Sequence, residues 1–244
     1  QKPTHPELLD YLARWFTDSG WSIKALHRLI LTSKTYLQSS EARHMAEADP
    51  ENQLLWHFPV RRLQAEEIRD ALLHVAGTLD TATGGKTIPR RNREFVFNHT
   101  SKDFTTYGST RRALYLPVIR NNLYDLFQQF DYPDPATSTG RRESSVVSPQ
   151  ALLLMNSDLS QTAAEAFAKR LLAQPDLEAR IRAASGLAYA RETTEADLRR
   201  CRDFLTAADA TLASTEADPA KREQAAWNLL AQTILMSSEF IYLR

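Results

Sequence analysis

The chain has little sulfur: one cysteine, Cys201, among 244 residues. A lone thiol excludes an internal disulfide and any zinc or iron–sulfur site built from cysteines. No Cys-x-x-Cys-His occurs, so these residues attach no c-type haem covalently. Long apolar runs are missing too, since nothing approaches the ~18 consecutive apolar residues of a membrane helix. Charge of one sign is also lacking: 30 Lys and Arg balance 30 Asp and Glu, and the sequence pI is about 7.2. Nucleic-acid binding rests on neutralising phosphates, so this balance argues against a nucleic-acid partner.

The short motifs of catalysis are absent as well. The histidines (His5, His27, His44, His57, His74 and His99) form neither His-x-x-x-His nor His-Glu-x-x-His, which removes zinc-protease spacing. There is no Gly-x-Ser-x-Gly, and Ser144-Ser145 has no base beside it in sequence. Gly84-Gly85-Lys86-Thr87 lacks the upstream glycine of a phosphate-binding loop and reads as a turn. No signal peptide is visible, and the chain opens at Gln1-Lys2-Pro3 without methionine, as a cut or processed start would.

What is present is helical periodicity in a chain 43% hydrophobic, enough to bury a core. Thr4, Pro6 and Glu7 predict a capped helix start, followed by Leu8, Leu9, Leu12, Trp15 and Phe16 on one stripe and a stop at Gly20. Ser22 opens a second helix carrying Ile23, Leu26, Leu29, Ile30 and Leu37. A third runs from Gln64 to Val75 and closes at Gly77. Between Thr78 and Arg112 the chain turns polar, and two β-like runs, Glu94 to Asn98 and Ala113 to Ile119, suggest a small hairpin. Asn121 to Phe130 predicts a short helix. Ser148-Pro149 and Ser157 open further helices, and Asp176, Thr194 and Asp218 are the expected N-caps of three more. The fold class read here is mainly α: a multi-helix orthogonal or antiparallel array with a small central β-hairpin and a long irregular loop region. The whole is taken as a single domain, with a helical part to residue 80, loops over 81–147 and a bundle over 148–244.

Several ordered motifs carry a resemblance. They are His5-Pro6-Glu7-Leu8-Leu9-Asp10, Gly20-Trp21-Ser22, and Leu26-His27-Arg28-Leu29-Ile30. Next come Leu55-Trp56-His57-Phe58-Pro59 with Arg61-Arg62-Leu63, and Tyr115-Leu116-Pro117-Val118-Ile119-Arg120. Gly140-Arg141-Arg142, Pro149-Gln150-Ala151-Leu152 and Ser237-Ser238-Glu239-Phe240 complete the set. Together they resemble the planctomycete-specific domain family of unknown function. That family usually forms the C-terminal part of large exported proteins whose N-terminal parts are similar to cytochrome c. The resemblance implies a periplasmic or otherwise exported setting. It also implies no cofactor within this chain, and haem in a neighbouring domain of the parent. Family members carry a further helical segment before the His-Pro-Glu-Leu motif. The expectation is therefore an N-terminally incomplete domain, with its partners being that upstream segment or other domains and subunits of the parent. An apparent apolar patch or pocket near residues 8 to 30 would then be an artefact of that missing cover.

The strongest site candidate is the polar stretch Arg120 to Gln150, with Arg120, Asp131, Asp134, Arg141 and Arg142 as its ligand-binding groups. Arginine forks suit carboxylate, phosphate or sulfate, and the aspartates could handle protons or a hard cation. The competing reading is that these charges pair with one another and pin the loop to the bundle. Trp15, Trp21, Trp56 and Trp227 read as core or interface anchors. Cys201, beside Arg199, Arg200 and Arg202, reads as a small apolar helix residue rather than an activated thiol. Two functions stand open. The first is a non-catalytic helical packing or interaction domain of an exported cytochrome-like protein. The other is an enzyme or binding module for an anionic or carbohydrate ligand.

Overall fold

The computed structural model describes residues 2–41, 47–85, 107–120 and 122–243. The chain divides into two compact units, one of residues 1–61 with 242–244 and one of residues 62–241. Helix dominates both, as the periodicity predicts. Two short strands, β1 (Arg61–Arg62) and β2 (Tyr242–Leu243), form the only sheet among the described residues.

The first unit holds α1 (Pro6–Asp18) and α2 (Ile23–Leu31). The cap at α1 differs from the expected one. His5 occupies the N-cap position without a side-chain cap bond, and the Thr4 hydroxyl turns to the His5 ring at 3.0 Å. The turn into α2 puts both Gly20 (φ +76°) and Trp21 (φ +59°) in the left-handed region, after which the Ser22 hydroxyl accepts from Ala25 N–H at 3.3 Å. The helix stops at Leu31 and does not reach Leu37. Its end is a run of hydroxyls: Thr32 Oγ1 donates to the Arg28 carbonyl at 2.7 Å and Ser33 Oγ accepts from Tyr36 N–H at 3.1 Å. Such local bonds compete with the helix ladder.

The second unit contains the core. Helix α3 (Ala65–Ala76) begins with Glu67 accepting from Gln64 N–H at 2.7 Å and ends at Gly77, whose φ of +77° gives the left-handed cap expected there. The short α4 (Asp125–Gln129) and α5 (Ser148–Asn156) come next, then α6 (Asp158–Leu172), α7 (Leu177–Tyr189), α8 (Glu195–Leu212), α9 (Pro219–Leu235) and α10 (Ser238–Ile241). Ser157, Asp176, Thr194 and Asp218 cap α6 to α9 with their own side chains. Helix α6 packs on α3 and α9, and α8 packs on α9. Alanines at 163, 164, 168 and 231, all buried, let these helices approach around Phe167, Leu171, Ile181 and Trp227.

The expected hairpin needs correction at its second arm. Ala113–Tyr115 is one 3₁₀ turn, and the chain beyond it is irregular. The reason lies in α3. Asp70 accepts from Ala113 N–H through both carboxylate oxygens, at 2.7 and 3.0 Å. Buried Arg69 donates to the carbonyls of Arg111 (2.7 Å) and Ser109. Backbone groups that a ladder would need are thus spent on side chains, and Pro117 has no N–H to offer. The first arm, Glu94 to Asn98, lies outside the described residues.

Candidate functional site

The segment from Arg120 to Gln150 leaves the core at Phe130 and returns at α5. At its start Asp131 takes a left-handed backbone (φ +59°), a conformation Asp and Asn tolerate better than most residues. This places its carboxylate between two parts of the chain. Oδ2 accepts from Arg62 Nη2 at 2.6 Å and from Ser145 N–H at 2.9 Å, while Oδ1 accepts from Ser145 Oγ at 2.7 Å. Arg62 also donates to the carbonyls of Ser145 and Phe130 and lies over the Phe130 ring. Gln150 Nε2 adds bonds to the carbonyls of Gln129 (2.9 Å) and Ser145 (3.2 Å). Burial alone would raise the Asp131 carboxyl. The two bonds from Ser145 and the Arg62 guanidinium outweigh it and hold the group below the usual carboxylate range.

Arg142 is engaged separately. Its guanidinium makes a fork onto Glu66 of α3, at 2.7 and 2.8 Å, reaches Gln64 Oε1 at 2.9 Å and lies over the Tyr132 ring. The hydrogen bond to Glu66 is the main cause that raises Arg142 further above its ordinary value. Asp134 closes a local turn by accepting from Ala136 N–H at 2.8 Å. Arg120, Asp134 and Arg141 are exposed. Of the five candidates, then, Asp131 and Arg142 are drawn onto the scaffold by Arg62 and Glu66, while Arg120, Asp134 and Arg141 face water.

The sequence reading missed three participants. Arg62 and Glu66 stand far upstream of the loop, and Ser145 offers both N–H and hydroxyl to one carboxylate. The Arg61-Arg62 pair was visible, but nothing local says that Arg62 is 3% exposed and aimed at residue 131. A second charged node ties the α7–α8 connection to α8 and α10. Arg191 meets Glu239 at 2.6 Å and Asp197 at 2.6 Å, and Arg200 meets Asp197 at 2.5 Å. Hydrogen bonds from Arg191 are the first cause holding the Asp197 carboxyl far below its ordinary value. Cys201, half-buried on α8, has its thiol pushed up by burial and then by Asp197, the reverse of an activated cysteine.

The first unit presents a different kind of surface. Neither α1 nor α2 buries a residue. Leu9 (56% exposed), Trp21 (68%), Ile23 (63%) and Leu37 (69%) stand in solvent. Trp227, by contrast, is the tryptophan at the centre of the second unit's core.

The architecture is that of a mainly helical chain whose charged loop is tied to β1 and α3. The chain belongs to the PSD1 family, described as protein of unknown function (DUF1553), whose sequence profile matches residues 1–205. No curated protein and no solved structure matches it. Among the described residues no helix is long and apolar enough to cross a membrane, and no cluster of three His, Cys, Asp or Glu could hold a metal ion.

Proposed function

We propose that the chain is a non-catalytic packing and interaction domain of an exported, cytochrome-like multidomain protein. It associates with other domains or subunits of that protein through the apolar residues that α1, α2 and the segments beside them leave in solvent. The observation that carries this reading is the exposure of Leu9, Trp21, Ile23 and Leu37 together on a unit of about sixty residues. Soluble monomers seldom expose contiguous apolar patches beyond a few hundred Å², and larger ones mark association surfaces. A standard interface takes roughly 800 Å² from each partner. The exported and cytochrome-like setting rests on the motif resemblance alone.

Two of the five groups that the rival reading needs are engaged inside the protein, Asp131 with Arg62 and Arg142 with Glu66. This favours the scaffold reading over a ligand site for anions or carbohydrate. The test is sedimentation velocity of the chain, alone and mixed with the cytochrome-like part of its parent. A heavier complex that Leu9→Glu with Ile23→Glu abolishes, at unchanged helicity, is the expected result. A monomer indifferent to the rest of the parent ends the proposal.

A further inference from the structure

The irregular stretch between Asp131 and Ser145 is a closed surface loop whose two ends meet on one carboxylate. Thr137, Ser138, Thr139, Gly140 and Arg141 are all exposed. From Ser138 to Ser144 no backbone N–H or C=O is hydrogen-bonded to a described residue. A protease takes its substrate as an extended strand, so it attacks most readily where the chain has no ladder of its own to give up.

Arg141 supplies a side chain for such an enzyme. It is exposed and makes no hydrogen bond or ion pair with a described residue. A free guanidinium fits the acidic specificity pocket of a trypsin-type serine protease. Arg142 is occupied instead, by its fork onto Glu66 at 2.7 and 2.8 Å. The two arginines are therefore unequal, and the bond that Arg141 presents is the one between them.

The fold on either side of that bond does not depend on it. Asp131 and Ser145 lie on opposite sides of it and hold each other at 2.7 and 2.9 Å. Gln150 Nε2 reaches the Gln129 carbonyl at 2.9 Å, and Arg170 reaches the Val75 carbonyl at 3.1 Å, each across the same point. Leu63 N–H donates to the Ile241 carbonyl at 2.8 Å, again across it. Helix α3 precedes the bond and α6 follows it, and the two pack together with Ile68, Leu72, Phe167 and Leu171 sealed from water. Cys201 is the single cysteine, so packing rather than a disulfide would hold the pieces.

We propose that the Arg141–Arg142 peptide bond is a processing site for an arginine-specific serine protease, and that the cut chain persists as one fold of two pieces. Water is the other reactant. Its hydroxyl joins the Arg141 carbonyl carbon, the C–N bond breaks, and the protons pass to the Arg142 nitrogen, leaving a carboxylate and an ammonium.

The test is limited trypsin digestion of the full chain in native buffer, read by mass spectrometry. Only the partly exposed Arg142 fork, a restraint of roughly fivefold, opposes extension of the loop. Scission after Arg141 should therefore run no more than about thirtyfold slower than in a free peptide of residues 134–147. The piece 142–244 should form from wild type and not from Arg141→Gln. Glu66→Gln, which weakens the hold on Arg142, should add a piece that begins at Glu143. Material cut only after Arg141 should elute with the intact chain on gel filtration and keep its helical circular dichroism. A slower scission, equal cutting after Arg141 and Arg142 in wild type, an unchanged pattern in Glu66→Gln, or pieces that separate in native buffer would each overturn the assignment.

Discussion

Arg62 and Asp131 meet at 2.6 Å although 69 positions separate them in sequence. The guanidinium is almost sealed and the carboxylate only partly so, which makes the pair an anchor for the irregular stretch between Asp131 and α5. Ser145 closes the other end of that stretch on the same carboxylate. One acidic side chain therefore fixes where the irregular chain leaves the core and where it comes back.

Asp131→Asn is expected to cost about 3 kcal/mol, the lower end of the destabilisation produced when a buried pair loses one partner. Asn accepts the left-handed backbone at this position, so the loss reports the charge and not the turn. Urea unfolding should show a lower midpoint with an unchanged slope. A loss under about 1 kcal/mol would mean that water already satisfies Arg62 and that the loop is held by other contacts.

The node at Asp197 predicts a pH dependence. Its folded-state value is lowered, first by the Arg191 hydrogen bonds and then by those from Thr194 and Arg200 after burial is overcome. A lowered carboxyl stabilises the fold fully above the unfolded value, near pH 4, and loses that contribution as the pH falls toward the folded value. The melting temperature of wild type should therefore drop steeply below about pH 4, and Asp197→Asn should drop less over the same interval. Parallel curves would remove Asp197 from the acid response. Because Arg191 is a third exposed, Arg191→Lys is expected to cost only about 1 kcal/mol.

Much of the fold was legible because helix starts are local. Ser22, Ser157, Asp176, Thr194 and Asp218 each accept from a backbone N–H two or three residues on, as their positions before apolar stripes suggested. The 3₁₀ turn at Ala113 was not legible. Its apolar and β-branched residues fit a strand, and only the carboxylate of Asp70, 43 positions earlier, takes the N–H that a ladder would use. The candidate site divides the same way. Charge density marked Arg120 to Gln150 as a segment, but the partners that consume Asp131 and Arg142 sit on β1 and α3, and a fork onto Glu66 leaves no trace in local sequence.

Gly77 tests the α3 terminus. At φ +77° any side chain is strained, although the space around it is open enough for a methyl, with Arg170 the nearest group at 3.8 Å. Arg170 in turn donates to the carbonyls of His74 (3.3 Å) and Val75 (3.1 Å), placing a cation at the negative end of the helix. Gly77→Ala should cost about 1 kcal/mol, read as a fall of roughly 2–4 °C in melting temperature. No change would show that the terminus shifts to another cap without penalty.

Arg141 and Arg142 are neighbours in sequence, and the structure predicts that they respond differently. Arg142→Ala removes two bonds to Glu66, one to Gln64 and the contact with Tyr132. The pair is about a third exposed, so the expected loss is near 1 kcal/mol. Arg141 is exposed, and Arg141→Ala should change stability by no more than about 0.5 kcal/mol. The same two variants decide whether the loop is an oxyanion site. A ligand at a hundred times its dissociation constant adds about 2.7 kcal/mol to the folded state. On the scaffold reading, sulfate and phosphate should move the melting temperatures of wild type and both variants alike, through ionic strength only. A shift in wild type that Arg141→Ala removes while leaving the ligand-free protein unchanged would instead make Arg141 a ligand-binding group and return the segment to the anion-binding reading.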